Sequence, residues 1–227
     1  MKDTTFLLAM DYEIENIFDL NDWTLELEKP FKIYAHRKLN TVRIVRTGIG
    51  KVNTAAATQF AVLRNSPKRI INLGVVGCIN KKFDIGEVKQ ISECRFFDVD
   101  VTAFNYQFGQ IPKCDIVNYK LKTTRKETAK VITGDSFVTD QSKFRDIVKL
   151  FSPDFIDMEL GAIAHTLYIN NELGILESYK APSDYLDHSA TKDFYENEKK
   201  AFANLRSLAS NLLANLKLLL SYPSQRI

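Results

Sequence analysis

A chain of 227 residues, 45% hydrophobic, is long enough to bury a sizeable core in one α/β domain. Its 31 basic and 28 acidic side chains leave a formal charge of +3, too mild to argue for nucleic acid or a membrane surface as a partner. No apolar run approaches a membrane span, and the opening MKDTTFLLAMDYE lacks the profile of a signal peptide. Cys78, Cys94 and Cys114 show no metal-ligand spacing and read as reduced thiols of a cytoplasmic protein. His36, His165 and His188 are scattered, so neither a metal nor another cofactor is expected.

Apolar runs then alternate with helical patterns along the chain. FLLAM (6–10) predicts a strand and 11–20 a helix; WTLELE, KIYAH and VRIVRTG predict the strands of a meander. Residues 51–65 have helical spacing, with Val52, Ala55, Ala56, Phe60 and Leu63 on one side. Strands are expected at 69–76, 88–98, 130–138, 155–158 and 175–181, and helices over about 142–151, 160–172 and about 192–221. The last helix carries an apolar stripe that includes Phe194, Phe202, Leu205 and Leu212. With no repeat and no convincing linker, residues 1–227 read as a single three-layer α/β/α domain. The early meander makes its central sheet mixed rather than purely parallel.

Ligands of such folds bind beyond the carboxyl ends of the strands. The exits here are Met10-Asp11-Tyr12-Glu13, Gly74-Val75-Val76-Gly77, Phe137-Val138, Met158-Glu159 and Pro182-Ser183-Asp184. Carboxylates stand at the first and the last two. Taken singly, Glu13 reads as a first-turn acid complementing a helix dipole, and Asp184 as a turn or cap residue. Glu159, between an apolar strand and an apolar helix, is harder to dismiss. Met10 and Met158 each abut a candidate acid and suggest a shared apolar pocket, although singly each is core filler. Asp98 and Asp100 read as loop structure, and Gly48-Ile49-Gly50 lacks the third glycine of a dinucleotide fingerprint.

Five segments in order resemble the methylthioadenosine/S-adenosylhomocysteine nucleosidase family of the nucleoside phosphorylase superfamily. DVDVTAFNYQFGQIP (98–112) is the most specific, resembling that family's DADVTAFGY-x-x-GQ-x-P. The others are TGIGKVNTAAAT (47–58), TGDSFV (133–138), DMELGAIAH (157–165) and SDYLDHSATKDF (183–194). The resemblance implies a phosphorylase/hydrolase-like fold and release of adenine from 5′-methylthioadenosine or S-adenosylhomocysteine, a reaction of methionine salvage. It implies Asp184 as the general acid at purine N7, Glu13 as the base for water, Glu159 as the ribose clamp and Met158 beside the ribose. Phe137 is implied to stack on adenine, Val138 to read the purine edge through its backbone, and Phe194 to form another wall. Phe104, Tyr106 and Pro112 would complete the 5′ pocket of a second subunit, so a homodimer is implied. General-acid catalysis fits a poor leaving group. It requires burial or neighbouring acids to raise the carboxyl's pKa.

The chain departs from the family's pattern where Val75 replaces Ser, Asp157 replaces Glu, and Lys180-Ala181-Pro182-Ser183-Asp184 replaces Arg-Ala-Ile-Ser-Asp. Lys180 keeps the charge without the planar fork of arginine. Residues 72–78 offer neither a cation nor a hydroxyl to phosphate, which favours water as nucleophile. The alternatives are a related adenine nucleosidase of the 5′-deoxyadenosine or futalosine type, a phosphorylase, and a catalytically weakened nucleoside-binding protein.

Overall fold

The computed structural model of the chain describes residues 3–138, 145–186 and 190–221, except the side chains of 145–147, 190–196 and 219–221. β1 (Thr4–Leu8) is buried along its whole length, its two threonines included, as a strand covered on both faces must be. It lies parallel to β4 (Val42–Arg46) on one side and to β5 (Arg69–Cys78) on the other. β2 (Trp23–Leu27), β3 (Ile33–His36) and β4 form the expected antiparallel meander.

Alternation along β1 and β5 sorts side chains between two cores. Leu7 and Ile70 join Ala57 and Ala61 of α2 (Lys51–Asn65) and Leu160, Ile163 and Ala164 of α4 (Leu160–Ile169). Phe6, Leu8, Ile71 and Leu73 join Ile14 and Ile17 of α1 (Asp11–Ile17) and Ala201, Phe202 and Leu205 of α5 (Ala190–Ser221). The result is helix, mixed sheet, helix. α3 (Arg145–Phe151) precedes β9 (Phe155–Asp157).

The sheet also closes on itself. β10 (Leu176–Asp184) runs parallel to β5 and antiparallel to β6 (Lys89–Phe96), β6 is parallel to β8 (Thr128–Thr133), and β8 to β9. Gly77 and Cys78 of β5 pair back with Ile156 and Phe155 of β9, completing the ring. A two-residue strand, β7 (Tyr119–Lys120), hangs on β6.

Three expectations change. The strand placed at 130–138 ends at Thr133: the Gly134 amide makes the last ladder bond, to Asp157 O, and the Asp135 amide turns away to Asp98 Oδ2. The strand placed at 175–181 runs on to Asp184, and Pro182, which has no N–H to give, sits where its register against β5 slips. The helix 51–65 forms with the expected limits, but two of the large apolar residues expected on its buried side, Val52 and Leu63, are not there. Thr54, Ala57, Thr58, Ala61 and Val62 face inward, while Val52 is 79% and Leu63 75% exposed.

Candidate active site

The residues that end or follow β1, β5, β8, β9 and β10 line one cavity of about 250 Å³. Glu13 reaches it from the first turn of α1. Its Oε2 accepts the amides of Ala9 (2.9 Å) and Met10 (3.1 Å), and Oε1 the amide of Val75 (3.4 Å). The side chain therefore caps its own helix at Met10 and faces the cavity as well. Gly74 makes this possible: a Cβ there would stand 2.9 Å from Glu13 Oε1 and 3.4 Å from Lys180 Nζ. Burial pushes the Glu13 carboxyl above its usual range, against the charge of Lys180 and the amides of Met10, Ala9 and Val75.

The two acids of DMEL divide their tasks. Asp157 takes the structural one: Oδ2 accepts the amide of Leu160 (3.1 Å), capping α4, and Oδ1 accepts the hydroxyl of Thr133 (2.6 Å). Glu159 makes no capping bond to α4. It turns to the start of α2, where its Oε1 accepts the amide of Gly50 (3.1 Å), and its Oε2 accepts the amide of Met158 (3.3 Å). Gly50, at φ +89°, adopts a backbone that favours glycine, and this aims its N–H across 109 residues of sequence. Burial first, and the charge of Asp157 second, push the Glu159 carboxyl up to about 7, against Lys180 and the Gly50 amide.

Lys180 and Asp157, two of the positions where the chain departs from the family's pattern, are each other's partner, with Nζ 3.0 Å from Oδ2 and both side chains almost fully buried. Burial alone would lower the ammonium's pKa; the charges of Asp157, Glu159 and Glu13 outweigh it and hold the pKa above the ordinary value. Asp184, 2% exposed, ends β10, and its Oδ1 accepts the amide of Leu186 (3.0 Å). The Ser183 hydroxyl lies 3.1 Å from Asp184 Oδ2 and 3.3 Å from Val76 O.

Of the residues singled out from sequence, Glu13, Asp184, Glu159, Met158, Phe137, Val138, Met10, Ser183 and Val75 all line this cavity. Lys180 stands behind its wall, reaching it through Asp157. The side chain of Phe194 lies outside the described residues. Phe104, Tyr106 and Pro112 do not line this cavity; Phe104 is 75% exposed. Ile49, Ser136 and Asp157 line it without having been singled out as ligand contacts. Asp157 was legible only as a departure, and Ser136 only as part of TGDSFV. Asp98 and Asp100 do serve loop structure: Asp98 holds Lys51 Nζ at 2.6 Å, and Asp100 accepts the Thr102 amide and hydroxyl. Among the described residues no group of His, Cys, Asp and Glu is placed to share a metal ion.

A curled mixed sheet with carboxylates gathered at its strand exits defines a class. Residues 4–214 match the family model of the phosphorylase superfamily. The 5′-methylthioadenosine/S-adenosylhomocysteine nucleosidase of Buchnera aphidicola subsp. Acyrthosiphon pisum (strain APS) is 31% identical over 224 residues, covering 87% of this chain and 95% of the relative. That of Staphylococcus carnosus is 30% identical over 227 residues, covering 92% and 97%. The crystal structure of the Neisseria meningitidis nucleosidase in complex with methylthio-immucillin-A superposes with a TM-score of 0.81 at 26% identity, over 94% of this chain and 99% of that one. The chain belongs to the phosphorylase superfamily, and within it to the 5′-methylthioadenosine/S-adenosylhomocysteine nucleosidase family.

Proposed function

We propose that this chain, as one domain, hydrolyses the N-glycosidic bond of 5′-methylthioadenosine and S-adenosylhomocysteine, releasing adenine and the thioribose. The observation that carries the reading is the convergence of Glu13, Glu159 and Asp184, distant in sequence, on one cavity. Cleavage of this bond builds positive charge on the sugar and negative charge on the leaving base. Asp184, buried at the end of β10, protonates the purine so that it leaves neutral. Glu159, ionised, accepts the ribose hydroxyls and stabilises the developing cation. Glu13, fixed by three backbone amides, takes the proton of the attacking water. Met10 and Met158 supply apolar walls, Phe137 a stacking face and Val138 its backbone for the purine edge.

Water is favoured over phosphate by charge. Among the described residues the cavity is lined by Glu13, Asp157, Glu159 and Asp184, and by no lysine or arginine. The nearby ammonium, Lys180, already holds Asp157. A phosphate dianion there would meet carboxylates without a cationic partner.

The neighbouring surface supports a homodimer with shared sites. Ile49 lines the cavity and is 49% exposed; Val52, Leu63 and Phe104 are still more exposed. Lys51, paired with Asp98 at 2.6 Å, ties the start of α2 to the segment that carries Phe104. Such an apolar patch beside a pocket calls for a cover. A second copy would bring its Phe104, Tyr106 and Pro112 to the 5′ end of the nucleoside. No helix among the described residues is long and apolar enough to cross a membrane. We place the enzyme in the cytoplasm, which the free thiols of Cys78, Cys94 and Cys114 fit, and in the methionine salvage that the resemblance implies. The test is adenine release by the purified protein in phosphate-free buffer. Release that requires added phosphate would make it a phosphorylase, and none from any adenine nucleoside would make it a binding protein.

A further inference from the structure

Three carboxylates and one ammonium share the inner wall of the site. Glu13 and Glu159 reach it from α1 and the start of α4, Asp157 from β9 and Lys180 from β10. Buried this way, an ammonium closes on the carboxylate held best for it. Among the described residues only Asp157 lies within ion-pair distance of Lys180 Nζ. That is a consequence of how Asp157 is held. The Thr133 hydroxyl and the Leu160 amide grip its two oxygens from β8 and α4, and Thr133 is itself fixed by the Gly161 amide at 2.9 Å. Glu13 and Glu159 lean instead on backbone amides, with lone pairs left over. Glu13 Oε1 and Lys180 Nζ both border the space that a side chain at Gly74 would fill, so no side chain there holds the ammonium back from the catalytic base.

We propose that Asp157 is a positioning residue of this site: it keeps the Lys180 ammonium off Glu13 and Glu159, leaving both carboxylates open to water and ribose. The inference rests on the nucleosidase reading for its kinetic consequence, but not for its electrostatic one. With Asp157 made neutral, Lys180 moves to the nearest remaining carboxylate and occupies the lone pairs that the reaction needs. Glu159 is the reporter, facing Asp157, Lys180, Glu13 and the amide at the start of α2.

The experiment compares wild type, Asp157→Asn, Lys180→Met and the double variant in two ways. One is kcat for adenine release. The other is the titration of Glu159 by NMR of protein labelled at glutamate Cδ, the signal being assigned by its loss in Glu159→Gln. In Asp157→Asn the Glu159 midpoint falls by about one pH unit, as an opposite charge replaces a like one. Its kcat falls about 10- to 100-fold from the mispositioned charge, while Asp157→Glu, which can still hold the ammonium, stays within a few-fold of wild type. With Lys180 already replaced by Met, the Asp157→Asn change moves the midpoint by less and costs no further kcat. An unchanged midpoint in folded Asp157→Asn overturns the proposal. So does a shift or a kcat loss of the same size with and without Lys180. Should Asp157→Asn not fold, Asp157→Ser is compared with and without Lys180→Met in the same way, and an unchanged Glu159 midpoint there overturns the proposal equally. If the wild type released no adenine, the nucleosidase reading would fail, yet the titration would still decide where the ammonium sits.

Discussion

β10 carries two ion pairs, a part-buried one near its start with Arg69 of its neighbour β5 and a fully buried one further along with Asp157 of β9. At the amino ends of β5 and β10 Arg69 meets Glu177 through two parallel bonds of 2.8 Å, one cation to one carboxylate, with the Tyr179 hydroxyl filling the remaining side at 3.0 Å. Further along β10 Lys180 meets Asp157 of β9 by one contact of 3.0 Å, with Glu13 and Glu159 close enough to act on its charge. The first pair is balanced, planar and bidentate, which is what arginine does best. The second leaves carboxylates in excess. Burying excess charge costs stability, and a fold keeps it only where chemistry uses it. On the proposed function the difference assigns tasks to the two ends: one holds the strands, the other works.

The strongest way to break that division is to disable the working end and look for damage at the holding end. Asp184→Asn should lower adenine release by about 10²–10⁴-fold and leave the melting temperature and nucleoside binding close to wild type. A variant that kept its rate would remove Asp184 from the mechanism. Glu159→Gln should follow with a smaller loss, and it should change the pH profile. The carboxyl titrates at about 7, so kcat/KM of the wild type falls as pH drops through that value. In Glu159→Gln that acid limb disappears, because the amide has no proton to lose. Persistence of the limb at the same pH would place it on another group.

The working end extends to the open side of α2, and this predicts a loss at a distance. Val52→Asp puts a charge on a residue 79% exposed that touches no catalytic carboxylate. If that side is covered by a second copy, burying an unpaired aspartate there costs about 2 kcal/mol or more of association. Light scattering should then show monomers, with activity lost for want of the partner's Phe104. A dimer of unchanged mass would move the interface elsewhere. The holding end predicts the reverse: Arg69→Met should cost about 1–3 kcal/mol of stability, read by urea denaturation, while kcat of the folded enzyme stays put.

Much of the fold and of the candidate site is legible in the sequence. Apolar runs of strand length bounded by helical spacing located nearly every element, and reading their exits gathered Glu13, Met158, Glu159 and Asp184. What could not be read was what depends on contacts between distant segments. Ring closure rests on two residues, Gly77 and Cys78, whose pattern does not distinguish a partner. The inward side of α2 was misjudged because close packing on α4 selects Thr54, Ala57, Thr58 and Ala61 by size, leaving the larger Val52 and Leu63 outside. The division of labour in DMEL was hidden as well. Either acid could have capped α4, and only the reach of Gly50 to Glu159 and of Lys180 to Asp157 decides between them.

The finest test of the two ends is the sign of their pH dependence. Burial pushes the Glu177 carboxyl up, but the bonds and charge of Arg69 and the Tyr179 hydroxyl outweigh it and hold it below its usual value. The unfolded chain therefore binds that proton more readily. The stabilisation is fully present above the ordinary carboxylate range and is lost as pH falls through the folded-state value. Glu159 is raised, so between its unfolded value and about 7 the native state is the one that holds the proton. Its contribution is present in acid and is lost as pH rises through that window. Each effect is on the order of 1 kcal/mol for each unit of displacement. Urea denaturation from about pH 2 to about pH 8, reaching below the ordinary carboxylate range, should give a stability maximum. Arg69→Met should flatten its acid flank and Glu159→Gln its neutral flank. If both variants flattened the same flank, the two ends would not differ in kind.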